Sequence, residues 1–387
     1  MQVAVVAGPD AGHAIPAIAL CRKLLDVGDE PTLFTGAPWL DSIATEGIDV
    51  RLLPGLAPRE VDDDMDAGRR IHERAAYIAT LLAPELRTLA PDLVVSDVLT
   101  AGGGLAAELC GLPWVELSPH PLYLPSKGLP PIGSGLAPGV GLRGRLRDTV
   151  MRTLTARSIR AGENQRAQAR AGIGLPTVDP GPVARLIATL PALEVPRPDW
   201  PDNTHVVGPL LWEPTDQVLA PPPGDEPLVM VAPSTAFTGA DGMVPTVLRA
   251  LDGAGVRVVV SMLDEPPTDL PGWARAGLGR QDMLLRDASI VVCGGGHGML
   301  AKALLAGRPV VTVPGGGDQW ELANRAQRQG SALLVRPLSE EAVRAAVQRV
   351  RDEPGFRAAA QSAAVGIAEV ADPVRICRDA VATYPAP

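Results

Sequence analysis

An apolar run at residues 290–293 stops at Gly294, Gly295 and Gly296 and passes through His297 and Gly298 into a helical pattern carrying Leu300, Ala303 and Leu304. Glycines let backbone N–H groups approach an oxygen atom closely, and the helix that starts there presents the positive end of its dipole. The chemistry suited to that order is the holding of an anion such as phosphate. A second unit of the same kind follows: the run 309–313 ends in Pro314, Gly315, Gly316, Gly317, Asp318 and Gln319 before a helix through Leu322, Ala323 and Ala326. Near the start of the chain, His13 follows a strand at 2–7 and opens a helical pattern with Pro16 in its first turn. A helix N-terminus disfavours imidazolium, and a neutral imidazole is what a general base must be. Asp97 ends a strand at 93–96 and so emerges at the same sheet edge, where a carboxylate can hold one His13 tautomer and stabilise the imidazolium that forms. Plainer readings stand beside these: a polar loop residue for His13, and a helix cap for Asp97 and for Asp318.

Positioning such groups is the task of the elements around them. Strand patterns at 2–7, 31–35, 50–53, 93–96 and 114–117 alternate with helical ones at 15–27, 39–46, 67–89 and 101–110, which spells a doubly wound parallel sheet binding its ligand at the carboxyl edge. Residues 119–141 are too rich in Pro and Gly for regular structure and too long for a connector, as binding loops and lids are. The helical stretch 142–171 carries Arg143, Arg145, Arg147, Arg152, Arg157, Arg160, Arg166 and Arg170; it could cover a neighbouring face but reads better as a solvated helix, as the acidic run 62–66 reads as a solvated loop. Periodicity breaks in a Pro-rich linker near 208–224. A second α/β unit then has strands at 228–232, 256–261, 290–293, 309–313 and 332–335. The expected division is 1–208, a linker 209–224, 225–355, and a helical tail 356–387.

Composition bounds the partners. A chain of 387 residues is long enough for two cores. Its 44 acidic residues against 35 basic ones leave a net charge of −9, which argues against nucleic acid and against an anionic membrane surface as partners. An anionic ligand must then be held by local backbone dipoles. No apolar run of about 18 residues and no signal-peptide pattern occur, so no integral membrane segment is expected and the location expected is cytoplasmic. Cys21, Cys110, Cys293 and Cys377 are far apart and lack metal-type pairing, and no carboxylate cluster suits a metal ion. They are expected to be buried small residues.

The segment 289–325 resembles the nucleotide-sugar signature of family-1 glycosyltransferases, especially the bacterial macrolide and antibiotic enzymes. The GHAIP at 12–16 matches that family's GHxxP, and 91–119 resembles its amino-terminal half, so the resemblance spans nearly the whole chain. It implies an α/β GT-B fold: two Rossmann-like doubly wound domains facing across a cleft, with a final helix crossing back to the first. It implies an inverting, metal-independent hexosyl- or deoxyhexosyltransferase, without a cofactor beyond the nucleoside-diphosphate sugar. His13 would deprotonate the acceptor hydroxyl, aided by Asp97. Ser234, Thr235, Gly295, Gly296, His297 and Gly298 would hold the diphosphate, and Asp318 and Gln319 the sugar hydroxyls. The apolar segments 54–75 and 119–141 are expected to flank the cleft and make the acceptor a hydrophobic small molecule; a homodimer is left open. Three positions depart from the family. Gly294 stands where a His donates to the diphosphate, Lys302 where an acid holds the ribose, and Leu278 near the aromatic that stacks on the base, with Trp273 as a shifted substitute. Two other readings stay open: a transferase acting on a lipid-linked sugar, like the peptidoglycan N-acetylglucosaminyl transferase, and a degenerate homologue serving as an auxiliary or binding protein.

Overall fold

The computed structural model describes residues 1–43, 46–62, 65–236 and 238–384. Two residues of the expected 39–46 helix and two of the acidic run 62–66 lie outside these. Strands such as 3–6, apolar at every position, must be covered on both faces, and parallel sheets flanked by helices provide that. The first half of the chain runs β1 (Gln2–Val6), α1 (Ala11–Leu25), β2 (Glu30–Thr35), α2 (Leu40–Ile43), β3 (Asp49–Leu52), α3 (Ala67–Leu89) and β4 (Leu93–Asp97). It continues through α4 (Gly102–Cys110), β5 (Trp114–Ser118), α5 (Gly141–Gly172), β6 (Ala184–Ile187) and β7 (Thr204–Val206). These strands form one parallel sheet in the order β3-β2-β1-β4-β5-β6-β7.

The second half runs β8 (Leu228–Ala232), α6 (Met243–Leu251), β9 (Arg257–Ser261), β10 (Ala274–Gly277), α7 (Gln281–Asp287), β11 (Ala288–Cys293) and α8 (His297–Leu305). Then come β12 (Val310–Thr312), α9 (Gln319–Gln329), β13 (Ala332–Leu334), α10 (Glu340–Asp352), α11 (Pro354–Val365) and α12 (Pro373–Thr383). Its parallel sheet has the order β10-β9-β8-β11-β12-β13. Each sheet has a core on either face. In the second lobe, Leu300, Leu304 and Leu322 cover one side and Val247, Val343 and Val347 the other. In the first, Ile78, Leu82 and Leu86 of α3 pack on one face. The other takes Ile18, Leu20 and Leu24 of α1 together with Val374, Ile376 and Cys377 of α12, which returns from the second lobe. Arg378 of α12 donates to both carboxylate oxygens of buried Asp29 at 3.1 Å.

Several details differ from expectation. Helix α1 begins at Ala11 rather than 15, so His13 sits inside its first turn and Pro16 deeper. Strands β6, β7 and β10 were not foreseen. Arg170 is not solvated: it lies buried with its guanidinium forked onto Glu108 at 3.0 and 2.7 Å, while Arg166 pairs with Asp179. That pins the C-terminal end of α5; its N-terminal half is held on one side by Gly139 N donating to buried Asp148 Oδ2 at 2.7 Å and by Arg152 Nη1 donating to Leu129 O at 2.8 Å. Cys21, Cys293 and Cys377 are buried free thiols, and Cys110 is half-buried.

Candidate active site

Strand β1 lies between β2 and β4, with Val6 beside Ser96, so the loops after β1 and β4 leave the sheet together at the point where the winding reverses. The first carries His13 into α1, and the second leaves β4 at its last residue, Asp97. Their side chains meet, His13 Nδ1 lying 2.7 Å from Asp97 Oδ1. The second oxygen of this buried carboxylate accepts from Leu99 N at 3.0 Å, Thr100 N at 3.2 Å and Thr100 Oγ1 at 3.2 Å. Asp97 therefore holds the turn ahead of α4 and orients His13 at once. With the carboxylate accepting, the proton sits on Nδ1 and Nε2 remains as the base. Burial disfavours the imidazolium, but the hydrogen bond and charge of Asp97, with Asp10 and Asp318 farther away, outweigh it and raise the His13 pKa above its ordinary 6.5.

A second imidazole, unforeseen, stands beside this pair. The His120 ring lies 6.3 Å from the His13 ring in an edge-on arrangement and stacks on Tyr123 at 4.3 Å. Its Nδ1 is 2.8 Å from the Pro121 carbonyl, and burial lowers its pKa, with the charge of His13 adding to the effect. The only sequence signal was its place just after β5, at the same edge.

The second sheet repeats the arrangement. Strand β8 lies between β9 and β11, with Ala232 beside Cys293, so Ser234 and Thr235 face the glycine loop across the reversal point. A Cβ on Gly294 would come within 2.9 Å of Ser234 Cβ and 3.2 Å of Ser234 N. Backbone approach of that kind accounts for glycine where the resembled family has His. Gly295, at φ +79°, turns the chain away, whereas Gly296, His297 and Gly298 line the cleft. Leu300 N–H closes onto Gly296 O at 3.2 Å, which leaves the N–H groups of 297–299 for a ligand. The ring of His297 is turned to the first lobe, its Nε2 sharing a 2.8 Å hydrogen bond with Thr189 Oγ1. Burial, with a smaller effect from His120, pushes its pKa down to about 3, so it meets an anion as a neutral ring.

Asp318 stands at the N-cap position of α9 but makes no side-chain cap, and its carboxylate lines the cleft. Gln319 is buried and locks two loops together: its Oε1 accepts from Gly315 N at 2.9 Å and its Nε2 donates to Ser234 Oγ at 2.8 Å. Lys302 is not free for phosphate or ribose. Its buried Nζ lies 2.8 Å from Glu213 Oε1 and donates to Gln281 Oε1 at 3.0 Å, so a carboxylate from the linker answers its charge. Leu278 lines the cleft beyond β10, but Trp273 precedes that strand at the opposite edge and packs in the core. The cleft encloses about 430 Å³, and Ile15, Leu99, Leu210, Leu263 and Met299 give it apolar walls.

The segment 119–141 contributes only Pro119 and His120 to those walls. Its far end docks on α9, where Gly135 N donates to Glu321 Oε2 at 2.9 Å and Arg328 Nη1 donates to Gly135 O at 2.6 Å. No described residue of 54–75 lines the cleft; Leu56 packs with the α3 and α4 core instead. Among the described residues no three His, Cys, Asp or Glu side chains gather as a metal site, and no helix is long and apolar enough to cross a membrane.

No family model matches the chain. Over 395 aligned residues it is 29% identical to the 4'-demethylrebeccamycin synthase of Lentzea aerocolonigenes, covering 92% of this chain and 93% of that one. It is 24% identical to the zeaxanthin glucosyltransferase of Pseudescherichia vulneris over 86% and 85% of the two chains. Among solved structures, the glycosyltransferase of kitacinnamycin superposes with a TM-score of 0.74 at 19% identity, over 98% and 97% of the chains. The glycosyltransferase VinC in complex with dTDP superposes at 0.70 and 20% identity, over 99% of both. The chain has the GT-B fold of these glycosyltransferases and is similar over about nine tenths of its length to the first of the relatives named.

Proposed function

We propose that the protein transfers a hexosyl or deoxyhexosyl group from a nucleoside-diphosphate sugar to a hydroxyl of a hydrophobic small molecule, with inversion and without a metal ion. The observation that carries this reading is one cleft holding the His13–Asp97 pair on its first-lobe side and the glycine-loop helix start of α8 on the other. The apolar walls seat the acceptor. His13 Nε2 takes the proton of its hydroxyl, and Asp97 stabilises the imidazolium so formed. The oxygen then attacks the anomeric carbon from the face opposite the leaving diphosphate, which is what inverts the centre. Charge growing on that diphosphate meets the N–H groups of 297–299, the α8 dipole and the hydroxyls of Ser234 and Thr235. Asp318, uncommitted and facing the cleft, is the carboxylate for the sugar hydroxyls; Gln319 keeps the loops that surround them in register.

The test is turnover of dTDP- and UDP-sugars with an apolar phenol or macrolide aglycone, in chelator, with the anomeric configuration of the product read by NMR. His13→Ala is expected to lower turnover on the order of 10²–10⁴-fold while leaving binding of the bare nucleoside diphosphate unchanged. Full turnover by that variant would remove His13 as the base. Binding of the nucleotide without turnover of any acceptor would favour the auxiliary reading.

A further inference from the structure

Helix α5 leaves one of its faces bare. Leu142, Leu146, Val150 and Leu154 follow one another at four-residue steps with exposures of 88%, 64%, 49% and 76%, and Val140 ahead of them is 92% exposed. Steps of four residues on a helix of 3.6 per turn rotate by about 40° each, so the side chains form one spiralling apolar stripe. Arg143 and Arg145 border the stripe, and Arg157 and Arg160 continue the same face beyond it. None of these four arginines has an acidic partner among the described residues, whereas Arg147, Arg166 and Arg170 do. The helix carries eight arginines against Asp148 and Glu163, within a chain of net charge −9. The overall charge opposes binding to an anionic surface, but the arginines of α5 reverse that locally.

An apolar stripe of this length calls for a cover. A second copy placed across a two-fold axis would set arginines against arginines, which opposes self-association through this face. An anionic lipid surface satisfies both features: the headgroup–acyl boundary receives leucines, and lipid phosphates receive guanidiniums. We propose that α5 is an amphipathic docking helix by which the protein lies on an anionic membrane surface, with Leu142, Leu146, Val150 and Leu154 entering the boundary and Arg143, Arg145, Arg157 and Arg160 meeting phosphates. This goes beyond the transfer reaction and does not depend on it.

Cosedimentation of the full chain with vesicles of phosphatidylcholine alone, or of two parts phosphatidylcholine to one part phosphatidylglycerol, tests it. The protein is expected to partition onto the anionic vesicles, to leave the neutral ones largely unbound, and to be released by salt. Arg143→Gln and Arg145→Gln should each weaken partition about fivefold, and Leu146→Ser with Leu154→Ser about tenfold or more. Circular dichroism and thermal unfolding should stay unchanged, since all four side chains are exposed. Absence of binding to anionic vesicles, equal binding to both compositions, or variants that bind like the parent would each overturn the proposal. So would a dimer in sedimentation velocity that Leu146→Ser dissociates, which would assign the stripe to a second copy.

Discussion

At the scale of residues, the proposed role of His13 as the base predicts a pH dependence that its contact with Asp97 shapes. The base form of His13 exists above its pKa, which Asp97 lifts over 6.5, so kcat/KM should rise with pH through an apparent pKa above that value and then level off. Asp97→Asn removes the charge that lifts the pKa and leaves burial, which lowers it. In a pH–rate series the acid limb should then move to lower pH, while the plateau falls, though by less than His13→Ala costs. A limb that stays in place would mean that another group titrates. His13 and Asp97 could be placed together from sequence because one opens the helix after β1 and the other ends β4, and strand ends in a parallel sheet share an edge. His120 could not, because it owes its place beside His13 to the path of 119–123, which no periodicity encodes. Lys302 was legible as a departure, but its partner Glu213 lies 89 positions away in a linker without pattern.

At the scale of elements, the strand-to-loop-to-helix junctions carry the site, and close packing fixes their residue types. Gly294→His restores the residue of the resembled family, yet the new side chain must displace the Ser234 loop. It should cost about 1–3 kcal/mol of stability by overpacking and weaken nucleoside-diphosphate binding, both measurable by thermal unfolding with and without ligand. Tighter binding at unchanged stability would show that the Ser234 loop yields freely. The strands read most clearly hold unbroken apolar runs, as 3–6 of β1, 93–95 of β4, 228–232 of β8 and 290–293 of β11 do. Those passed over have reasons. β7 reads Thr-His-Val with a single apolar residue, β10 reads Ala-Arg-Ala-Gly without a β-branched side chain, and β6 sits in a stretch broken by prolines. The start of α1 was read late because Gly12 looks like loop, although the Asp10 carbonyl already accepts from His13 N and Ala14 N there.

At the scale of the molecule, the two lobes are joined by more than the linker. His297 reaches Thr189, Ser134 and Gly135 lie on α9, and α12 completes the face of the first sheet that α1 begins. Deleting residues 373–387 bares the α1 side of that face at a cost on the order of 3–6 kcal/mol. Hydrogen exchange read by mass spectrometry should then quicken in β1, α1 and β4 and stay slow in β8 and β11; uniform protection would show that α12 merely rests on the surface. The same helix bears on biosynthesis. Asp29 leaves the ribosome 349 residues ahead of the Arg378 that pairs with it beside the Met1 ammonium, so the first lobe waits, with an apolar face uncovered, until the second has been translated and α12 follows it. A nascent chain arrested before residue 373 should therefore recruit holdase chaperones to its first lobe even when the second has folded, because what that lobe lacks is a segment not yet synthesised.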